Sequence, residues 1–276
     1  MAAKVVAVMN MKGGVGKTTL TFNLASYLAE FKAMKVLLVD LDPQANATLV
    51  STDPTKYQEH LKNRLTISHA FMHCYRAYGP VQQKPAQPPQ FDSYKYEAYS
   101  NVAGGRFDLI PSDLRLSSML KSMNFGPFDL DTLLTAEVRG AYDFVLIDCA
   151  PTYSSLTTIA FNSAKAVLIP MLADSFGLFG TTLMLSALDE HNDDFGFKPR
   201  VIGVVFTLWR DTATQLHNSN EIIKNWPTDA VFPARISHND WYKVANGKRQ
   251  QIWDTPASQA VKNEFTGFVD QFLVRA

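Results

Sequence analysis

The stretch Met11-Lys12-Gly13-Gly14-Val15-Gly16-Lys17-Thr18-Thr19 decides the fold. It follows the apolar run Val5–Met9 (VVAVM), which reads as a buried strand. It opens a helix predicted over about Thr18–Phe31, where Leu20, Leu24 and Leu28 fall at i, i+4 and i+8. Strand, glycine loop and helix in that order are the context a phosphate-binding P-loop needs. The glycines let backbone N–H groups turn toward a polyphosphate without Cβ clashes, and the helix N-terminus adds a favourable dipole. Lys17 is then placed to reach the β- and γ-phosphates, and the Thr18 hydroxyl to ligate Mg²⁺. Gly13, Gly14, Val15, Gly16, Lys17, Thr18 and Thr19 are the candidate cradle.

Outward from this loop, short apolar runs alternate with helix-length segments. Val36–Val39, Phe107–Ile110 (stopped by Pro111), Phe144–Ile147, Ala166–Ile169 and Val201–Phe206 read as five further strands. They are near-continuous apolar runs, which suits a parallel sheet covered on both faces. The pattern predicts an α/β, doubly wound, mostly parallel sheet flanked by helices, a P-loop NTPase built as one domain over 1–276. Residues 79–105, rich in Pro, Gln, Tyr and Gly, read as a surface insertion, either a partner-binding loop or tolerated extra length.

Two carboxylate segments complete the site. VLLVDLDPQANATL (36–49) puts Asp40 and Asp42 at the carboxyl end of the second strand, where doubly wound sheets bind ligands. Helix capping is the other use of two such acids. YDFVLIDCAP (142–151) is four apolar residues followed by Asp, the Walker B pattern, and Asp148 would hold Mg²⁺ through water. Asp143 reads as a solvated residue at the strand start, and Cys149 as an apolar-packed, unreactive thiol.

The loop departs from the plain G-x-x-x-x-G-K-[ST] form, with Met11 in place of the first glycine and an extra lysine, Lys12, after it. This resembles the deviant Walker A motif (K-G-G-x-G-K-[ST]) of the ParA/MinD family of ATPases. LDPQANAT, LIPSDLRLSSML (109–120), SAKAVLIPMLADSFGLFG (163–180), VVFTLWRDTA (204–213) and VFPARISHNDWYKVA (231–245) resemble further family segments, so the likeness covers nearly the whole chain. It implies ATP and Mg²⁺ as ligands. Lys12 would cross to a partner's nucleotide in an ATP sandwich homodimer, supplying a cation as an arginine finger does. Asp42 would orient or deprotonate the attacking water, Asp40 would support the Mg²⁺ water shell, and residues 44–48 would switch with the γ-phosphate. Arg210 and Pro233 become candidate adenine contacts.

Lys plus Arg number 26 and Asp plus Glu number 26, for zero net charge, which by itself argues against a nucleic-acid binder. Locally, residues 235–249 carry Arg235, Lys243, Lys248 and Arg249 against Asp240 alone, interleaved with Trp241 and Tyr242. By the family resemblance these basic residues form a non-specific DNA surface, working through phosphate neutralisation; the other reading is a solvated charged face. The P-loop begins about ten residues into the chain, which leaves no room before it for a helix-turn-helix module. The resemblance implies a ParB-like adaptor and cargo such as a plasmid, a chromosome or a protein assembly.

A MinD-like membrane ATPase is the rival, and it would want a basic amphipathic C-terminal helix. Here Phe265, Phe268, Val269, Phe272 and Leu273 face a polar side of mixed charge, so the helix reads as core-packing and no stable membrane association is expected. Cys74 and Cys149 are the only cysteines, without C-x-x-C, which excludes a disulfide framework, a zinc site and an iron–sulfur carrier. The expected location is the cytoplasm, on the nucleoid.

Overall fold

The structure, a computed structural model, describes residues 2–78, 90–122, 130–227 and 229–276. Eight strands form one sheet: β1 (Lys4–Val8), β2 (Lys35–Leu41), β3 (Tyr96–Ser100), β4 (Arg106–Ile110), β5 (Phe144–Cys149), β6 (Ala166–Met171), β7 (Arg200–Trp209) and β8 (Val231–Ser237). Their order is β3-β4-β2-β5-β1-β6-β7-β8, parallel throughout except for β3, which runs antiparallel to β4. Helices α1 (Lys17–Lys32), α2 (Asn46–Ser51), α3 (Pro54–Lys62), α4 (Ile67–Tyr78), α5 (Phe91–Tyr94) and α6 (Arg115–Ser122) lie in the first half. Helices α7 (Ala136–Gly140), α8 (Ser155–Ala164), α9 (Gly177–Phe195), α10 (Ala213–Ile223), α11 (Asp240–Lys248) and α12 (Gln259–Arg275) follow.

The apolar runs are continuous because both faces of the sheet are buried. On one face Val5, Leu37, Val39, Val145 and Ile147 pack with Phe71 of α4, Phe161 of α8 and Leu188 of α9. On the other, Val6, Val36, Leu38 and Leu146 pack with Leu20, Leu24 and Leu28 of α1 and Phe265, Phe268, Val269 and Phe272 of α12. The apolar stripe of α12 is thus spent on the core. No described helix is long and apolar enough to cross a membrane.

All six expected strands are present, each within a few residues of its predicted ends. The other two of the eight strands were not legible as apolar runs, and both lie on edges of the sheet. Strand β8 contains Pro233, which lacks an N–H to donate and is tolerated at an edge. Strand β3 lies inside the segment expected to be a surface insertion, so the expectation is corrected for its second half: Phe91–Tyr94 is a helical turn and Tyr96–Ser100 joins the sheet. Residues 79–89 of that segment lie outside the described residues.

Strand β1 sits between β5 and β6, with β2 beyond β5. The connection leaving β1 therefore runs to one side and the one entering β6 to the other. This reversal opens a crevice at the carboxyl end of β1, where such sheets bind ligands.

Candidate nucleotide site

The loop after β1 is shaped by two glycines in the left-handed region, Gly14 (φ 74°) and Gly16 (φ 79°), and α1 starts directly after them. A side chain at either would be strained. Val15 between them is buried, and its carbonyl accepts from Thr207 Oγ1 of β7 at 2.8 Å, which pins the loop to the sheet. Lys17 is buried, and its Nζ donates to the Lys12 carbonyl at 3.1 Å. Burial pushes its pKa down, opposed mainly by the charge of Asp148.

The carboxylates meet beneath this loop. Asp40 of β2 and Asp148 of β5 are register partners, and Val8 of β1 is level with Asp148. Thr18 Oγ1 donates to Asp148 Oδ2 at 2.8 Å, and Thr21 Oγ1, one turn further along α1, donates to Asp148 Oδ1 at 3.1 Å. Asp40 accepts from the Asp42 and Thr48 N–H groups at 3.0 and 2.8 Å and from Thr48 Oγ1 at 2.7 Å. Burial raises the pKa of both acids; Asp148 raises that of Asp40 further, and the hydrogen bonds pull the other way. Asp42 Oδ1 accepts from Gln44 N–H at 2.9 Å, and the Asp42 carbonyl accepts from Ser112 Oγ at 2.8 Å. The N-cap residue of α2, Ala45, offers no side-chain cap, and Asp40 takes part of that role by accepting from the Thr48 N–H in the first turn of the helix.

Three buried carboxylates and a threonine hydroxyl against one buried lysine form a hard-oxygen, net negative site. That donor chemistry fits Mg²⁺, which binds through one or two carboxylates and substrate phosphates. Among the described residues no group of three or more His, Cys, Asp or Glu could itself hold a metal ion, so phosphates would have to complete the shell. Asp143 is exposed, as expected, and accepts from Lys35 N–H. Cys149 is buried, which pushes its thiol pKa strongly up and leaves it inert.

A cleft of about 690 Å³ runs from the P-loop past Asp42 and Asn46 to Leu208, Ser237, Tyr242 and Asn246. Neither Arg210 nor Pro233 lines it, and both are exposed. Their placement does not support the expected adenine contacts; the ends of β7 and β8 and helix α11 wall that side instead. Asn246 Nδ2 donates to Thr19 Oγ1 at 2.9 Å, tying α11 to the P-loop helix. Leu208 takes φ 50°, rare for a branched side chain, at a register shift between β7 and β8. Thr21 was legible in principle, since it follows Thr18 by three on a helix; Thr207, Leu208 and Asn246 carried no local signal.

The four basic residues separate. Lys243 and Lys248 project from α11, both exposed, and Lys243 lies 3.8 Å from Asp240. Arg249, just past the helix, donates from Nε to the Leu49 carbonyl of α2 at 3.2 Å. Arg235 is half-buried on β8, with its guanidinium 4.0 Å from the Trp209 ring centroid.

The AAA domain family model matches residues 3–198. The chromosome-partitioning ATPase Soj of Treponema pallidum is 31% identical over 242 residues, covering 86% of this chain and 83% of that protein. The chromosome partitioning protein ParA of Caulobacter vibrioides is 31% identical over 241 residues, covering 86% and 81%. The ATP complex of a McdA variant from Cyanothece superposes with a TM-score of 0.76 at 20% identity, covering 99% of this chain and 97% of that one.

Proposed function

The chain belongs to the ParA/Soj family of P-loop partition ATPases, and from that premise we propose that it positions cargo by an ATP-driven cycle on DNA. The observation that carries the reading is the convergence of Thr18 and Thr21 on Asp148 of the buried Asp148–Asp40 pair, with the charge of Lys17 felt there and Asp42 in the same cleft. Gly13 to Thr19 bind the triphosphate of ATP. Thr18, Asp40 and Asp148 hold Mg²⁺, which supplies charge neutralisation at the phosphates when bound. Asp42 orients or deprotonates the attacking water, and Ser112 braces it through the Asp42 carbonyl. Lys12 reaches across an ATP sandwich homodimer. Hydrolysis is slow alone and stimulated by a ParB-like adaptor.

Lys243, Lys248 and Arg249 provide the non-specific DNA surface, aided by Arg235. Support comes from the place of Lys243 and Lys248 on α11, whose Asn246 bonds Thr19, and of Arg249 just past it, which bonds the Leu49 carbonyl in the segment after Asp42. The working location is the cytoplasm, on the nucleoid. A gel-shift series with random DNA and ATP, ADP or no nucleotide, across salt concentrations, tests the reading. ATP-dependent, sequence-indifferent, salt-sensitive binding is expected. Binding to anionic liposomes with no DNA shift would replace it with a MinD-like membrane cycle.

A further inference from the structure

Lys12 is held by its own chain. Its ammonium donates to Asp174 Oδ2 at 2.5 Å and lies 5.3 Å from the centroid of the Phe176 ring. Its N–H donates to Asn10 Oδ1 at 2.9 Å, and Asn10 Nδ2 donates in turn to the Pro170 carbonyl on β6 at 2.7 Å. Asp174 is also fixed, because its second oxygen accepts from Phe176 N–H at 3.1 Å and its carbonyl from Gly177 N–H at 2.9 Å. A lysine so engaged cannot at the same time reach a second subunit.

We propose that Lys12–Asp174 is a clasp that keeps the signature lysine in cis in the monomer and opens when a second copy docks; this rests on the sandwich dimer proposed above. The two side chains are 30% and 38% exposed, so solvent screens the pair and the clasp is weak enough to open. The surrounding face favours opening. Phe176 and Phe179 at the start of α9 are 66% and 63% exposed, and Leu183, one turn on, is also exposed. Burying these side chains against a second copy offsets the lost ion pair. Two clasps open per symmetric dimer, so an exposed-pair contribution enters twice. Removing it tightens the dimer by about 2- to 30-fold in Kd.

The test is Asp174→Asn, whose side-chain oxygen can still accept from Phe176 N–H. In nucleotide-free protein, acetylation of Lys12 followed by mass spectrometry should rise several-fold over wild type. With a non-hydrolysable ATP analogue and Mg²⁺, sedimentation should show the tighter dimer. Unchanged Lys12 labelling, or a dimer equal to or weaker than wild type, overturns the clasp. Lys12→Ala separates the two layers: if it dimerises normally, the sandwich role of Lys12 fails, while the labelling result still judges the clasp.

Discussion

The hydroxyl of Thr48 bridges Asp40 at the end of β2 and Ser112 after β4, and replacing it by the isosteric Val gives a quantitative test. Thr48 is fully buried; its Oγ1 donates to Asp40 at 2.7 Å and accepts from Ser112 N–H at 2.8 Å. In Thr48→Val the shape is kept, and Asp40 retains the Thr48 N–H bond. Lost are a hydrogen bond to a carboxyl whose pKa burial raises to about 8, about 0.5–1.5 kcal/mol, and the partner of a buried N–H, about 1–3 kcal/mol. The sum is about 1.5–4.5 kcal/mol, a large share of a typical domain's stability. For 276 residues the unfolding entropy near Tm is roughly 0.6 kcal/mol/K, so Tm should fall by roughly 3–8 °C in nucleotide-free calorimetry. Thr48→Ser keeps both bonds and loses only a methyl, so its fall should be about 2 °C or less. A Thr48→Val drop no larger than the Thr48→Ser drop would refute the bridging role.

Asp42→Ala should bind ATP normally and lose turnover, since Asp42 lies in the cleft and, among the described residues, its side chain hydrogen-bonds Gln44 N–H and neither Lys17 nor Thr18; a phosphate-release assay at the wild-type rate would remove its role. Replacing Lys248 and Arg249 by Glu should weaken random-DNA binding and lower the salt slope by about 2 per subunit, with ATP binding intact, as read by anisotropy titrations. Gly16→Ala should cost about 1–2 kcal/mol in melts and weaken ATP binding in calorimetric titration, because φ 79° is strained for any side chain. The pH dependence follows from Asp40, whose pKa burial raises. Across the window between its unfolded and folded pKa values, the folded state keeps a proton that the unfolded chain has lost, so stability falls as pH rises from about 4 toward neutrality and is recovered on acidification. Metal-free Asp40→Asn should show a shallower fall of Tm over that range than wild type; identical slopes would count against a raised Asp40 pKa.

How much was legible follows the range of the interactions. The P-loop, Asp40, Asp42 and Asp148 could be read because each sits at the end of an apolar run, and a buried parallel strand shows itself by continuous apolar composition. Strands β3 and β8 could not, since an edge strand is half-solvated and carries Tyr, Glu, Pro and Arg. The far wall of the cleft was misplaced onto Arg210 and Pro233 for a related reason. Those positions came from the family resemblance of 204–213 and 231–245, whereas Leu208, Tyr242 and Asn246 reach the site through a register shift and a packed helix.

The sequence by itself determined the fold class, the phosphate loop and the order of the carboxylates, because these depend on local periodicity and on residues adjacent in the chain. Only the tertiary structure decided the partnerships. Thr18 and Thr21 close on Asp148 from 130 and 127 residues away, Arg249 ties the basic helix to Leu49, and Lys12 is gripped by Asp174 across 162 residues. Such pairs are set by which strands lie side by side and how helices dock on them. Zero net charge, likewise, said nothing of Lys243 and Lys248 on one helix, with Arg249 just past its end, beside the nucleotide cleft.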